Sequence, residues 1–139
     1  MNPTPILRLA FLGCGARGFT YAQLMARQPE RFRIVAAADP QAERVERIRR
    51  LTDPAGFRAF ASGAELLGAG RLADVLVIAT QDHDHFAPCR AALGLGYHVL
   101  LEKPIAIHPA QVLEIERLAV QAGRRVMVCF VLRFAAFYR

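Results

Sequence analysis

The feature that most constrains this chain is the regular alternation of short apolar runs with segments of helical pattern. The clearest run, Val75 to Ile78, is apolar at every position and too short for a helix. Strands without polar alternation are buried on both faces, which is typical of parallel sheets covered by helices. The predicted strands span Ile6 to Leu12, Phe32 to Ala38, Arg58 to Phe60 (the weakest), Asp74 to Ala79, His98 to Leu101 and Arg125 to Phe130.

Helices are predicted between these strands. Asp39 and Pro40 suit the N-cap and first position of one helix, and Ser62 with Glu65 forms a capping box that opens another. The others are predicted over Arg17 to Gln28, from Phe86 to about Gly94 or Gly96, and from Pro109 to Gly123. Six strands joined by helices predict an α/β fold: one domain over residues 1–139, a doubly wound parallel sheet of order 3-2-1-4-5-6, the Rossmann fold.

Composition narrows the class of protein. Hydrophobic residues make up 54% of the chain, which argues against disorder, and no apolar run approaches the ~20 residues of a membrane helix. The stretch from Ile6 to Ala16 does not resemble a signal peptide, because no basic segment precedes it and Arg8 interrupts it. Three scattered cysteines without zinc-like spacing fit a reducing compartment. We therefore expect a cytoplasmic protein without a membrane partner.

The net charge of +6 raises the question of nucleic-acid binding. The arginines are scattered, however, and the densest group is interleaved with Glu43 and Glu46 on a predicted helix, as on a solvated helix face. We expect no nucleic-acid partner, and a modest positive field would attract an anionic dinucleotide. The arginines of that group are Arg44, Arg47, Arg49 and Arg50.

Residues 13–18 (GCGARG) form a G-x-G-x-x-G pattern directly after the first strand and before a helix. Gly13 allows the tight turn, Gly15 allows the backbone to approach a pyrophosphate, and Gly18 allows helix and strand to pack closely. Ala16 and Arg17 contribute to the free N–H groups at the helix N-terminus, which attract phosphate. An ordinary glycine-rich turn is the alternative, and the strand–turn–helix context favours a dinucleotide site.

Asp39 follows the second strand, 21 positions after Gly18. An acid at this place binds the ribose hydroxyls of NAD and repels the 2′-phosphate of NADP. Arg44, one helical turn further on, would weaken that repulsion. The sequence therefore favours NAD and leaves NADP open.

The segment after the fourth strand, residues 80–85 (TQDHDH), invites a metal hypothesis. His83 and His85 lie two apart in a predicted loop, and no third ligand has a fitting spacing, so we predict no metal site. Thr80 and His85 are instead interpreted as a wall on the nicotinamide side and as a helix cap. His108, before Pro109, is also predicted to cap a helix.

Glu102, Lys103 and Pro104 follow the fifth strand. Of the 18 basic residues 17 are arginine, and Lys103 is the single lysine. Lysine can lose its proton when desolvated and arginine cannot, so a lone lysine at the ligand edge suggests a catalytic role. Glu102 is expected to orient the ammonium group and Pro104 to fix the turn. The alternative is a surface Glu–Lys pair.

Together with residues 13–18, four further motifs resemble, in order, the N-terminal half of the Gfo/Idh/MocA oxidoreductases, which include glucose–fructose oxidoreductase and inositol dehydrogenase. They are Ala38-Asp39-Pro40, Ala79-Thr80 with His85, Glu102-Lys103-Pro104 and Leu132-Arg133-Phe134. The Glu-Lys-Pro motif is the most specific.

The resemblance implies hydride transfer between NAD, or NADP, and a hydroxyl of a sugar, inositol or related polyol. It implies that Lys103 contacts the substrate hydroxyl that loses its proton. Arg133 would lie near the nicotinamide edge, although from spacing alone it could equally be a charge in a tail. It implies that the cofactor site is lined by Gly13, Gly15, Asp39, Thr80, His85 and Glu102.

The family continues into a second α/β domain, and this chain is expected to end about where that domain begins, which would leave an exposed surface and the possibility of a homo-oligomer. Cys129-Phe130-Val131 stands where many members carry Gly-x-Asn, so no polar contact is assigned there. Two alternatives to the dehydrogenase remain: an NAD-dependent glycoside hydrolase of the same family, and a dinucleotide-binding fragment without activity of its own.

Overall fold

The computed structural model describes residues 5–138. Five helices and six strands alternate along this range, with three short 3-10 helices at Asp82–Asp84, Val131–Phe134 and Ala136–Tyr138. The strands are β1 (Leu7–Leu12), β2 (Phe32–Ala38), β3 (Arg58–Phe60), β4 (Val75–Ile78), β5 (His98–Glu102) and β6 (Val126–Cys129). The helices are α1 (Ala16–Ala26), α2 (Ala42–Arg49), α3 (Gly63–Gly68), α4 (Phe86–Gly94) and α5 (Pro109–Ala122).

All six strands form one parallel sheet in the order β3-β2-β1-β4-β5-β6. This confirms the predicted fold class and strand order. The strands differ from their predicted bounds by no more than one residue at either end. No helix between residues 5 and 138 is long and apolar enough to cross a membrane.

Helix α2 begins later than the sequence predicts. The expectation that Asp39 caps it and Pro40 opens it is wrong: Gln41 occupies the N-cap position and the helix begins at Ala42. The reason is that the Asp39 carboxylate accepts hydrogen bonds from the backbone N–H groups of Gln41 and of the distant Cys14. At α3 the cap forms as expected, since Ser62 Oγ accepts from the Glu65 N–H at 3.2 Å.

The sheet is covered on both faces, which explains why its strands are apolar at successive positions. On one face Leu9 and Phe11 of β1 pack with residues of α1 and α2. On the other face Ala10 and Leu12 pack with residues of α3, α4 and α5. The carboxyl ends of parallel strands lie at one edge, so the segments after β1, β2, β4 and β5 meet there.

Candidate functional site

The glycine-rich turn after β1 depends on two glycines for its shape. Gly13 has a φ of +88°, and a Cβ there would lie 2.5 Å from the Ala79 carbonyl oxygen at the end of β4. A Cβ on Gly18 would lie 2.1 Å from the Gly13 carbonyl oxygen. Neither distance is possible for a real side chain, so both glycines are required for the turn and for the packing of α1 against the sheet.

Gly15 differs, because the fold itself leaves room for a side chain. Its φ of −64° is open to any residue, and a Cβ would meet only Arg44 Nη1, at 3.9 Å. Gly15 is the N-cap of α1 and supplies no side-chain hydrogen bond to Ala16, Arg17 or Gly18, whose first-turn N–H groups have no intrahelical partner. No acidic side chain occupies this first turn. The helix end therefore presents free N–H groups and positive dipole to an anion.

Asp39 lies beside this helix end and is 95% buried. Its Oδ2 accepts from the Cys14 N–H and its Oδ1 from the Gln41 N–H, both at 2.9 Å. Arg44 Nη1 lies 3.8 Å from Oδ2 and partly balances its charge. Burial, with the nearby Asp39 charge, raises the pKa of the Cys14 thiol to about 12, so this cysteine stays protonated.

A cleft of about 610 Å³ opens in front of Asp39 and the glycine turn. Its walls come from the carboxyl ends of β1, β2 and β4 and from the starts of α2, α3 and α4. The residues that line it include Gly13, Gly15, Asp39, Gln41, Arg44, Gly63, Thr80 and Pro88. The cleft thus combines apolar walls with one buried acid and an open helix N-terminus.

The segment after β4 contacts the turn that contains Lys103 and Pro104. The His85 side chain is fully buried, with Nδ1 2.6 Å from the Pro104 carbonyl oxygen and Nε2 3.3 Å from the Thr80 carbonyl oxygen. His85 stands at the N-cap of α4, and its ring makes no capping hydrogen bond. His85 therefore links the Thr80 backbone to the Pro104 backbone, and Thr80 itself lines the cleft.

The remaining histidines of the sequence hypotheses lie at the surface. His83 Nε2 is 3.3 Å from Asp84 Oδ2, and both side chains are exposed. His108 occupies the N-cap of α5 without a capping hydrogen bond from its side chain. Within residues 5–138 no group of three or more His, Cys, Asp or Glu side chains could hold a metal ion.

Glu102 and Lys103 are arranged differently from the expectation. The Glu102 carboxylate is 94% buried; it accepts a hydrogen bond from the Tyr21 hydroxyl and lies 3.3 Å from Arg17 Nε. Its other oxygen accepts from the backbone N–H of Lys103 at 3.0 Å. Glu102 therefore positions the Lys103 backbone rather than its ammonium group. Lys103 is exposed, makes no ion pair with any described residue, and precedes Pro104 through a cis peptide bond.

Arg133 lies in the 3-10 helix that follows β6. Its side chain is exposed, and its guanidinium carbon is 5.5 Å from the centre of the Phe130 ring. Both hypotheses for Arg133, a contact with cofactor or substrate and a charge in a tail, stay predictions.

Tyr21 is the functional candidate that the sequence reasoning missed. It lies on α1 and reaches the Glu102 carboxylate across 81 positions of sequence. One sequence pattern indicates that Tyr21 lies near the glycine-rich turn: Arg17 and Tyr21 are four positions apart on a predicted helix and therefore share a face. Burial, and then the hydrogen bond to Glu102, raise the pKa of Tyr21 above its ordinary value, so its hydroxyl remains a donor.

The arrangement fits a dinucleotide. The absent side chain at Gly15, the free N–H groups of α1 and the buried acid beside an apolar cleft correspond to pyrophosphate, ribose and base in a Rossmann domain. Fold and site thus define a domain of the dinucleotide-binding class. Residues 7–130 match the family described as "Oxidoreductase family, NAD-binding Rossmann fold". The chain belongs to the Gfo/Idh/MocA family of oxidoreductases.

Among curated relatives, the chain is 33% identical over 133 residues to inositol 2-dehydrogenase 4 of Saccharopolyspora erythraea, covering 95% of this chain and 38% of that protein. It is 32% identical to inositol 2-dehydrogenase of Leifsonia xyli, covering 100% of this chain and 40% of the relative. The chain therefore spans about two fifths of the length of these proteins.

Solved structures agree with this placement. The WlbA dehydrogenase of Bordetella pertussis, solved in complex with NADH and UDP-GlcNAcA, superposes with a TM-score of 0.84 at 27% identity, over 96% of this chain and 40% of that chain. Scyllo-inositol dehydrogenase of Lactobacillus casei, with bound NAD(H) and scyllo-inositol, gives a TM-score of 0.84 at 20% identity, over 97% and 39% of the two chains. At that identity the second comparison shows the shared fold alone.

Proposed function

We propose that this chain binds NAD and provides the proton-handling lysine of an oxidoreductase that acts on a hydroxyl of a sugar, inositol or related polyol. The observation that carries the proposal is the placement of the open α1 N-terminus, the buried Asp39 and the exposed Lys103 at the same edge of one parallel sheet. The names of the relatives, inositol 2-dehydrogenases and a UDP-sugar-binding dehydrogenase, support the substrate class.

In this proposal the nicotinamide, when bound, supplies the chemistry of hydride exchange. The first turn of α1 holds the pyrophosphate through the N–H groups that Gly15 leaves accessible. Asp39 accepts hydrogen bonds from ribose hydroxyls while its other contacts, to Cys14 and Gln41, keep the carboxylate in place. Its charge opposes a 2′-phosphate, so we propose NAD as the preferred cofactor.

Lys103 Nζ is proposed to hydrogen-bond the reacting hydroxyl and to take up or return its proton. An ammonium group without an ion-pair partner among the described residues is free to meet a substrate oxygen. The turn is held from two sides, by Glu102 through the Lys103 N–H and by His85 through the Pro104 carbonyl oxygen. Such support fixes the point from which the Lys103 side chain extends, and correct positioning of catalytic groups contributes to enzymatic rate enhancement.

Calorimetric titration of the chain with NAD and with NADP tests the cofactor part of the proposal. We expect both to be measurable and NAD to bind more tightly. Failure of both dinucleotides to bind would reject the proposal, and tighter binding of NADP would reject the role of Asp39.

Substrate turnover is tested in two steps. Because the chain spans about two fifths of its relatives, we expect it to bind NAD without oxidising inositol or UDP-sugars. In a chain extended by the second α/β domain of the family, accumulation of free NADH with a polyol supports the dehydrogenase hypothesis. Release of sugar from a glycoside without net NADH would instead favour the hydrolase.

A further inference from the structure

The Glu102 carboxylate connects helix α1 with the backbone of Lys103, two parts of the site that lie far apart in the sequence. Its Oε1 faces α1, where it accepts a hydrogen bond from the Tyr21 hydroxyl and lies 3.3 Å from Arg17 Nε. Its Oε2 accepts from the Lys103 N–H at 3.0 Å. Both oxygens belong to one rigid carboxylate group, so the contacts to α1 and the contact to the Lys103 backbone depend on the position of a single side chain.

The α1 side of this connection starts inside the glycine-rich turn. Arg17 lies in the first turn of α1, next to Gly15 and Ala16, where the helix presents its free N–H groups. Tyr21 follows one turn later on the same face and carries the more buried contact to Glu102. An anion bound at this helix end would therefore contact the same helix that carries Arg17 and Tyr21, the two side chains that contact Glu102.

The opposite side of the Lys103 turn is held separately. His85 binds the Pro104 carbonyl oxygen from the β4 side, and this contact does not involve α1. Lys103 itself is not among the residues that line the cleft beside Asp39. The α1 terminus is thus linked to Lys103 through Glu102, while the cleft is linked to the following residue, Pro104, through Thr80 and His85.

We propose that Tyr21 is a positioning residue that sets the Lys103 backbone through Glu102 and couples it to occupation of the α1 N-terminus by a diphosphate. The inference rests on the proposed dinucleotide site. In it Tyr21 touches neither cofactor nor substrate. A merely structural tyrosine would affect stability and leave the environment of Lys103 unchanged, which separates the two roles experimentally.

The chain offers an unusually direct test, because it contains a single lysine. Protein labelled with [15N]lysine gives one backbone amide signal in a proton–nitrogen correlation spectrum, that of Lys103. The probe ligand is ADP, which carries a diphosphate for the α1 terminus and has no nicotinamide to contact Lys103. Calorimetry on the same samples establishes whether ADP is bound.

We expect ADP to displace the Lys103 signal in the wild type, with the same saturation curve as the calorimetric titration. Tyr21→Phe removes the hydroxyl and keeps the ring. It should move the Lys103 signal in the free protein and reduce its displacement by ADP. The matched control is Tyr97→Phe, which removes a buried hydroxyl that bonds Gly70 and Leu72 on the opposite side of the sheet. It should leave both readings at their wild-type values.

The proposal is overturned if ADP binds and the Lys103 signal does not move, or if Tyr21→Phe behaves like the wild type. If Tyr21→Phe does not fold, an unmoved Lys103 signal in wild-type protein with bound ADP still overturns the coupling. If neither ADP nor NAD binds, the proposed dinucleotide site fails instead. The free-protein spectra of wild type and Tyr21→Phe then still test the positioning, and coincident signals would reject it.

Discussion

Replacing Gly15 with alanine separates the fold of this domain from its binding of dinucleotide. The φ of −64° is ordinary for alanine, and the added methyl group would meet only Arg44 Nη1, 3.9 Å away. The same substitution at Gly18 places the methyl carbon 2.1 Å from the Gly13 carbonyl oxygen. One change therefore adds a methyl group to the proposed phosphate site, and the other adds it to the protein's own backbone.

The expected magnitudes differ accordingly. Alanine is a poorer N-cap than glycine, so Gly15→Ala should lower the free energy of unfolding by about 0.5–1 kcal/mol. Gly18→Ala forces the turn apart and should cost about 3 kcal/mol or more. If the methyl group on Gly15 blocks one hydrogen bond to a charged phosphate, the loss is about 1.5–3 kcal/mol of binding, or roughly 10–150-fold in Kd for NAD.

Urea unfolding and calorimetric titration with NAD measure both quantities on each variant. Gly94→Ala is the control, since Gly94 is the last residue of α4 and nothing lies within 4 Å of its added methyl group. That variant should be as stable as the wild type or slightly more stable and should bind NAD unchanged. Wild-type NAD affinity in folded Gly15→Ala would refute the assignment of the pyrophosphate to the α1 terminus.

Three further predictions concern charge and protonation. Asp39→Asn should shift the NAD-to-NADP affinity ratio toward NADP by about tenfold or more, because the charge opposing the 2′-phosphate is lost; an unchanged ratio in calorimetry contradicts this. In a two-domain form, Lys103→Arg should lower kcat/KM by about 10²–10⁴ with little change in NAD affinity, since arginine cannot exchange the proton; near-equal rates would make Lys103 a surface charge. Burial raises the pKa of the Cys14 and Cys89 thiols from 9.0 to about 12, so between these pH values the two thiols ionise only in the unfolded chain and their contribution to stability falls with rising pH. The expected slope is about 1.4 kcal/mol per pH unit for each thiol. Urea unfolding of the double variant Cys14→Ala/Cys89→Ala should show a shallower slope than the wild type, and an identical slope would exclude these two thiols as its source.

The sequence by itself determined the architecture, because the causes are local. Strands buried on both faces must be apolar at successive positions, as residues 75–78 are. A turn with positive φ between a strand and a helix selects glycine, as at Gly13. The candidate residues at the strand ends followed from the same pattern, since parallel strands bring their carboxyl ends to one edge.

Only the tertiary structure decided which hydrogen-bond partners the polar side chains have. Asp39 was expected to cap α2, and its carboxylate instead binds the Cys14 N–H, 25 positions away. Glu102 was expected to hold the Lys103 ammonium, and it holds the backbone N–H while Tyr21 of α1 holds Glu102. Several donors could bind each carboxylate, and which of them lies within hydrogen-bond distance depends on which helix packs beside which strand. That packing brings together residues far apart in the chain, which local sequence patterns do not encode.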